Sequence, residues 1–481
     1  MTPLHILAML GSIGALVALL MAVFPQEGLT LGGQRLKFVT WSSLVRDTSA
    51  VHRLGDIDAY LASVDTTRAE RAFSDSLHLR PALTLTSIQF KNDDASSLYN
   101  FFARARQARA TRSNVHVFHY GDSQIESDRI SSLLRQELQQ LFGGGGPGWL
   151  APLPVTSTMS IAQQQSEHWL RYTAYGYDKG KLPSGQFGAL AASFRFLPPS
   201  ETVAEDTTEA WLEFSPSGKS GGRNSAYDLM KVWLGYHRAP LDLEVWINDS
   251  LHYLETIASA NSVLCKRYHI GRSPEKLRLV FRGTDSPEVH GIVLEEEGGV
   301  NVNNIALRGS DGTIFRRLPS ADLKAELTGS DAGLVLLQFG GNAMPYIKSA
   351  EGATQYGESF AMQIRYLRSL LPDAAFIVIG PSDMSQSVDG QWQSYPYLEQ
   401  VRDALKSAAL ETGCGFWDMY TVMGGKNAMI SWVSNQPPYA GDDHVHFTPA
   451  GAKKVAGLLC KALKEEYDAW NAQNEKQKIP G

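Results

Sequence analysis

The chain of 481 residues sets 44 Lys and Arg against 50 Asp and Glu, a formal net charge of −6, and 43% of its residues are hydrophobic. That is ample for two or three domains with sizeable cores, and without a Lys/Arg cluster a nucleic-acid partner has no electrostatic footing. Cys265, Cys414 and Cys460 are too few and too far apart for a disulfide framework or a spaced metal site, and read as buried free thiols.

In chain order, residues 4–24 are almost uninterruptedly apolar, broken by His5, Ser12 and glycines, and are about long enough to cross a hydrocarbon core of roughly 30 Å. No basic segment precedes them and no small-x-small cleavage site follows, so residues 1–28 read as an uncleaved N-terminal membrane helix rather than a removed signal peptide. Arg35, Lys37 and Arg46 follow the segment, which by the positive-inside rule favours a cytoplasmic body, although large domains translocate despite flanking charge. Residues 29–45 alternate like a short strand pair, and 47–76 are charged and helical in pattern with no strong core face. Together, 29–90 read as a stalk or spacer.

Residues 91–149 form a first catalytic segment. An amphipathic helix over 97–107 precedes Val115-His116-Val117-Phe118-His119-Tyr120-Gly121-Asp122-Ser123-Gln124, an apolar, β-prone run broken by a Gly-Asp-Ser turn that leads into a helical pattern over 126–141. Ser123 therefore sits where a strand hands over to a helix, its hydroxyl exposed and helix N-terminal N–H groups close to a developing oxyanion. The run Gly143 to Trp149 lacks the Gly-Lys-Ser/Thr of a phosphate loop and reads as a flexible exit loop.

Over residues 150–300 helical periodicity fades. Short alternating runs at 210–214, 241–247 and 277–281 lie between Ser/Gly/Asp/Pro turns, the signature of an antiparallel β-sandwich inserted into the chain. Trp169, Tyr172, Tyr175 and Tyr177 are placed either to stack on sugar rings or to fill the sandwich core.

Over residues 301–481 strands at 334–339, 375–380 and 415–419 alternate with helices at 360–371, 397–411 and 449–470, which implies a parallel, helix-covered sheet with its chemistry at the strand C-termini. The glycine-rich turn Arg308-Gly309-Ser310-Asp311-Gly312-Thr313 lets backbone approach a ligand, and Asn342, after the 334–339 strand, carries an amide able to donate to an oxyanion. Asp443-His444-Val445-His446 sets a carboxylate three residues before an imidazole, the spacing to orient the ring while its other nitrogen takes a serine proton. Residues 420–439 have no clear periodicity and are placed to line or cover a cleft, and Asp383 is either a substrate contact or a turn cap.

In this order the four blocks resemble the SGNH (GDSL-type) hydrolase family. The resemblance implies Ser123 as nucleophile and, through its N–H, an oxyanion donor. Gly312 is the second donor, with Gly309 its alternative, and Asn342 the third. Asp443 and His446 complete the triad, with Asp442 a second choice, and Ala343 stands where the family block has Asp. A sandwich interrupting the hydrolase at this point is similar to the layout of bacterial peptidoglycan O-acetylesterases of that family. The implied fold is a three-layer α/β/α parallel sheet interrupted by a β-sandwich.

The implied function is a membrane-anchored serine esterase, its body in the periplasm or outside the cell, that removes O-acetyl groups from a polysaccharide such as peptidoglycan without metal or organic cofactor. Its partners would be an acetylated glycan and, through the N-terminal helix, the membrane. An O-acyltransferase stays open, because a sugar hydroxyl resolves an acyl-serine as water does. A non-catalytic glycan-binding protein is the third reading, and it needs neither serine, base nor orienter.

Overall fold

The computed structural model describes residues 29–31, 34–36, 84–176, 182–219 and 221–477. Leu29–Leu31 and Gln34–Leu36 pair antiparallel. The membrane helix expected over 4–24 and the charged segment over 47–76 lie outside the described residues. Among the described residues no helix is long and apolar enough to cross a membrane.

Five parallel strands, β1 (Asn114–Gly121), β2 (Gly299–Ala306), β3 (Ala332–Gln338), β4 (Ala375–Ile379) and β5 (Gly415–Trp417), form one sheet in the order β2-β1-β3-β4-β5. Burial on both faces explains the unbroken apolar runs of β3 and β4. β2 escapes such reading because Asn301, Asn303 and Asn304 interrupt it. The register pairs Gly121 with Ala306 and Gln338, Gln338 with Ile379, and Ile379 with Trp417. All five strands therefore end along one edge, where the loops that follow them gather.

Among the described residues eight α-helices complete the body: α1 (Ser96–Thr111), α2 (Ser131–Phe142), α3 (Ser320–Gly329), α4 (Ala350–Leu370), α5 (Leu398–Glu411), α6 (Met419–Met423), α7 (Ala428–Ser434) and α8 (Pro449–Gln477). α1, α2 and α8 are locked together by Phe102, which packs on Phe142, Tyr467 and Trp470 with centroids 6.2, 5.5 and 5.9 Å away. α4 starts well before the expected residue 360, at Ala350, where Ser349 accepts the Gly352 N–H as an N-cap. The helix expected over 126–141 divides into a 3-10 segment, Ser123–Asp128, and α2, because Glu126 is extended (ψ 157°) and Ser127 is left-handed (φ 58°).

Between α2 and β2 lie two antiparallel sheets. One runs Ser250–Ile257, Leu241–Ile247, Leu277–Gly283, Thr208–Pro216, Ile161–Gln165; the other runs Leu264–His269, Leu229–Gly235, Glu288–Glu295, Ala192–Arg195, Leu170–Thr173. The entry strand Gly148–Leu150 pairs with the exit strand Glu288–Glu295, so the chain leaves and rejoins the α/β body side by side. One hydrophobic core is continuous from Phe118, Tyr120 and Leu337 of the parallel sheet to Trp149, Phe194, Val232 and Ile292 of the insert. Trp169 belongs to that core, packed edge-on against Phe196 and Phe281. Tyr177 lies outside the described residues.

The junction is close-packed and charged. The glycine run is a buried seam and not the flexible exit loop expected: a Cβ on Gly144 would stand 2.4 Å from the Val300 carbonyl oxygen, and one on Gly145 2.0 Å from that of Ala226. Only glycine permits such approach. Beside it, buried Glu295 meets His116 at 2.9 Å and Lys231 at 2.6 Å. Burial alone would raise its carboxyl, but these two partners hold it down at about 2. The three cysteines are free thiols, Cys414 buried and the other two partly so.

Candidate active site

β1 ends at Gly121, and Asp122 turns the chain: its Oδ1 accepts the Gln124 N–H at 2.9 Å. This places Ser123 at the carboxyl edge of β1, where the chain runs outward to β2 and then returns to β3 on the other side of β1. Such a reversal of strand order opens a crevice above the strand ends. A cavity of about 240 Å3 lies there, lined by Ser123, Asn342, Ser382, Met384, Tyr395 and His446 among others.

His446 reaches Ser123 from the loop before α8. Ser123 Oγ and His446 Nε2 are 2.8 Å apart, and His446 Nδ1 is 2.7 Å from Asp443 Oδ2. The other carboxylate oxygen accepts the N–H groups of Val445 at 2.9 Å and His446 at 3.0 Å. Asp443 thus grips both the ring and the backbone of the histidine. Partial burial raises its carboxyl, but the N–H and imidazole bonds of His446 and the Val445 N–H outweigh it, so the group lies below the ordinary carboxylate range. An ionised carboxylate there orients the ring and stabilises an imidazolium. Asp442 is exposed, and the carboxylate that meets the ring is Asp443.

Asn342 follows β3. Its Nδ2 donates to Asp122 Oδ2 at 3.1 Å and to the Ser310 carbonyl at 3.2 Å, which fixes the amide beside the serine turn. Burial lifts the Asp122 carboxyl to about 6, against the Gln124 N–H, His446 and the Asn342 amide, which lower it, and with Glu126 adding to the rise.

Gly312 does not join this group. Its N–H is taken by Ser310 Oγ at 3.1 Å, and its left-handed backbone (φ +81°) faces the core, where a Cβ would stand 2.7 Å from both Phe339 and Phe360. The Thr313 N–H is likewise taken, by Asp311 Oδ1 at 2.9 Å, and Gly312 does not line the cavity. Gly309, the alternative, is exposed with open space around it. Ser123, Asn342, Asp443 and His446 are therefore brought together, and Gly312 is not.

Several neighbours carried no signal in the sequence. Gln124 clamps the serine turn to the histidine loop, its Nε2 donating to the Val445 carbonyl at 2.5 Å and its Oε1 accepting the Phe447 N–H at 3.3 Å. A hairpin of Ser385–Val388 and Gln391–Ser394 leaves the cavity wall at Met384 and returns at Tyr395. Its Trp392 stacks on His444 at 3.8 Å and 14°, and its Ser385 N–H donates to the His444 carbonyl at 3.0 Å. The hairpin braces the loop that carries Asp443 and His446. Residues 420–439, expected at the cleft, fold mainly into α6 and α7 and give no residue to the wall of this cavity. Asp383 is fully buried and accepts the Ser394 hydroxyl at 2.7 Å and the Met429 N–H at 2.8 Å, which ties the hairpin to α7. His119 is buried between Ser131 and Gln338, its imidazole pushed down to about 4 by that burial.

Residues 283–454 match the GDSL-like lipase/acylhydrolase family. No curated protein matches the chain significantly. Among solved structures, a peptidoglycan O-acetylesterase aligns at 20% identity with a TM-score of 0.59, covering 77% of this chain and 96% of that one. An acetyl xylan esterase aligns at 14% identity and a TM-score of 0.26, covering 34% and 81%. A family two carbohydrate esterase from Clostridium thermocellum aligns at 11% and 0.23, covering 63% and 99%.

Proposed function

We propose that this chain, a member of the GDSL/SGNH lipase and acylhydrolase family, is a serine esterase that removes O-acetyl groups from an extracytoplasmic polysaccharide such as peptidoglycan. The observation that carries the reading is the relay from Ser123 through His446 to Asp443, with contacts of 2.8 and 2.7 Å. As Ser123 Oγ attacks the ester carbonyl, His446 Nε2 takes its proton and Asp443 stabilises the imidazolium. The Ser123 N–H faces the negative charge that develops on the carbonyl oxygen, and the Asn342 amide adds a second donor by exchanging its bond to the Ser310 carbonyl for one to that oxygen. Collapse expels the sugar oxygen, which takes the proton back from His446. Water, activated by the same imidazole, then releases acetate from the acyl-serine.

The polysaccharide is supported by the inserted sandwich and by the name of the peptidoglycan O-acetylesterase whose fold this chain shares. A membrane helix over residues 1–28 would hold the body outside the cytoplasm. The test is acetate release by the full chain from a panel of acetylated glycans, with and without an acceptor sugar. Release is expected at a rate indifferent to acceptor, and Ser123→Ala should lower it at least ~10³-fold. Slow release with fast, acceptor-dependent acetyl transfer would instead make the protein an acyltransferase.

A further inference from the structure

The turn that carries Ser123 lines two cavities. Ser123 and Gln124 face the catalytic one, whereas Glu126, Ser127 and Asp128 line a second, of about 120 Å3, at the junction with the insert. The insert fixes this part of the turn: the Met159 N–H donates to the Ser127 carbonyl at 3.1 Å, and Ser127 and Asp128 are held left-handed at φ 58° and 65°. Three to five extended residues span at most about 18 Å. A group in the second cavity is therefore within reach of a saccharide whose acetylated neighbour sits on Ser123.

The lining carries two carboxylates, Glu126 and Asp128, and two guanidinium groups, Arg135 and Arg171. Both of its carboxylates are already taken by arginines: Glu126 by Arg308, with both contacts at 2.5 Å, and Asp128 by Arg135 at 2.5 and 3.1 Å. From the insert the lining also takes Arg171 and Tyr175. Arg171 is half-buried and has no ion-pair partner among the described residues, and the Tyr175 hydroxyl makes no hydrogen bond among them. A guanidinium fork matches a carboxylate with two parallel N–H donors, and a phenol supplies another.

We propose that this cavity is a carboxylate subsite, built jointly by the insert and the serine turn, that recognises an acidic unit of the glycan and so makes the enzyme selective for carboxylate-bearing over neutral acetylated polysaccharides. The proposal rests on the esterase reading. It gives the insert a role in substrate selection through one cation.

The test compares O-acetylated polygalacturonate with neutral O-acetylated glucomannan as substrates of the full chain. The acidic-to-neutral ratio of kcat/KM should exceed one and fall at least ~10-fold in Arg171→Ala, mainly through KM, while Arg171→Lys, which keeps the charge but not the two parallel donors, should retain only part of it. Raising salt from about 50 to about 500 mM should erode the ratio in the native chain and leave that of Arg171→Ala unchanged. An unchanged ratio in Arg171→Ala, or equal losses on both polymers in Arg171→Ala and Arg171→Lys, overturns the subsite while leaving the esterase standing. Hydrolysis of neither polymer, with Arg171-dependent binding of deacetylated polygalacturonate oligomers, overturns the esterase and leaves the subsite.

Discussion

Asp122 serves two loops at once, accepting the Gln124 N–H that shapes the serine turn and the Asn342 amide that faces the cavity. Its carboxyl lies near 6, raised by burial from 3.8. Between those values the folded chain holds a proton that the unfolded chain has lost. Stability therefore falls as pH rises through that window, by on the order of 3 kcal/mol, and is flat above it. Asp122→Asn removes the effect, so denaturant titrations at pH 4 and pH 7 should show the variant gaining by that amount relative to the native chain. Its turnover should drop, because an amide NH2 cannot accept from Asn342. A stability difference that does not change with pH would contradict the assignment. Asp443 and His446 were legible in the sequence from their three-residue spacing, and Ser123 from its Gly-Asp-Ser turn at the end of an apolar run, although serine and histidine lie 323 residues apart. Asp122 and Gln124 were not, since the partners that define them lie 220 and 321 residues away. Gly312 was misplaced because the direction of its N–H is set by Ser310 Oγ, which glycine content does not reveal.

At the scale of elements, the hairpin is the brace of the histidine loop. His444 holds a left-handed backbone (φ +56°) between Asp443 and His446, and Trp392 covers its ring. A stacked aromatic contact contributes about 0.5–1.5 kcal/mol beyond its buried area. If that energy holds the His446 imidazole against Ser123, Trp392→Ala lowers kcat on a small acetyl ester by ~3–10-fold with KM little changed. A change in KM alone, read from steady-state kinetics, would make Trp392 a substrate contact instead. The apolar runs announced β3, β4 and β5, whereas the asparagines of β2 and the glutamines and serines of the hairpin concealed both. Asp389-Gly390, both at positive φ, is the turn signal that marks the hairpin.

At the scale of the molecule, the insert is welded to the hydrolase body. The glycine seam, the shared core and the Glu295 cluster join them, so excision would expose Phe118 and Trp149 to water. Glu295→Gln leaves His116 and Lys231 buried without their carboxylate. A broken buried pair costs about 3–5 kcal/mol, and thermal and denaturant unfolding should both register that loss in the whole body as one transition. A loss confined to the insert would show that the two parts fold separately. The alternating runs announced a sandwich; the seam was not legible, because a glycine run looks alike whether it is mobile or packed against a backbone that arrives from elsewhere in the chain.

All of this chemistry depends on Ser123 being activated by His446. Incubating the full chain with a serine-directed phosphonate and locating the adduct by peptide mass spectrometry tests that dependence most directly. One adduct is expected, on the peptide carrying Ser123; it should be absent from Ser123→Ala and form at least ~10³-fold more slowly in His446→Ala. An adduct on another serine, or labelling undiminished in either variant, would contradict the account.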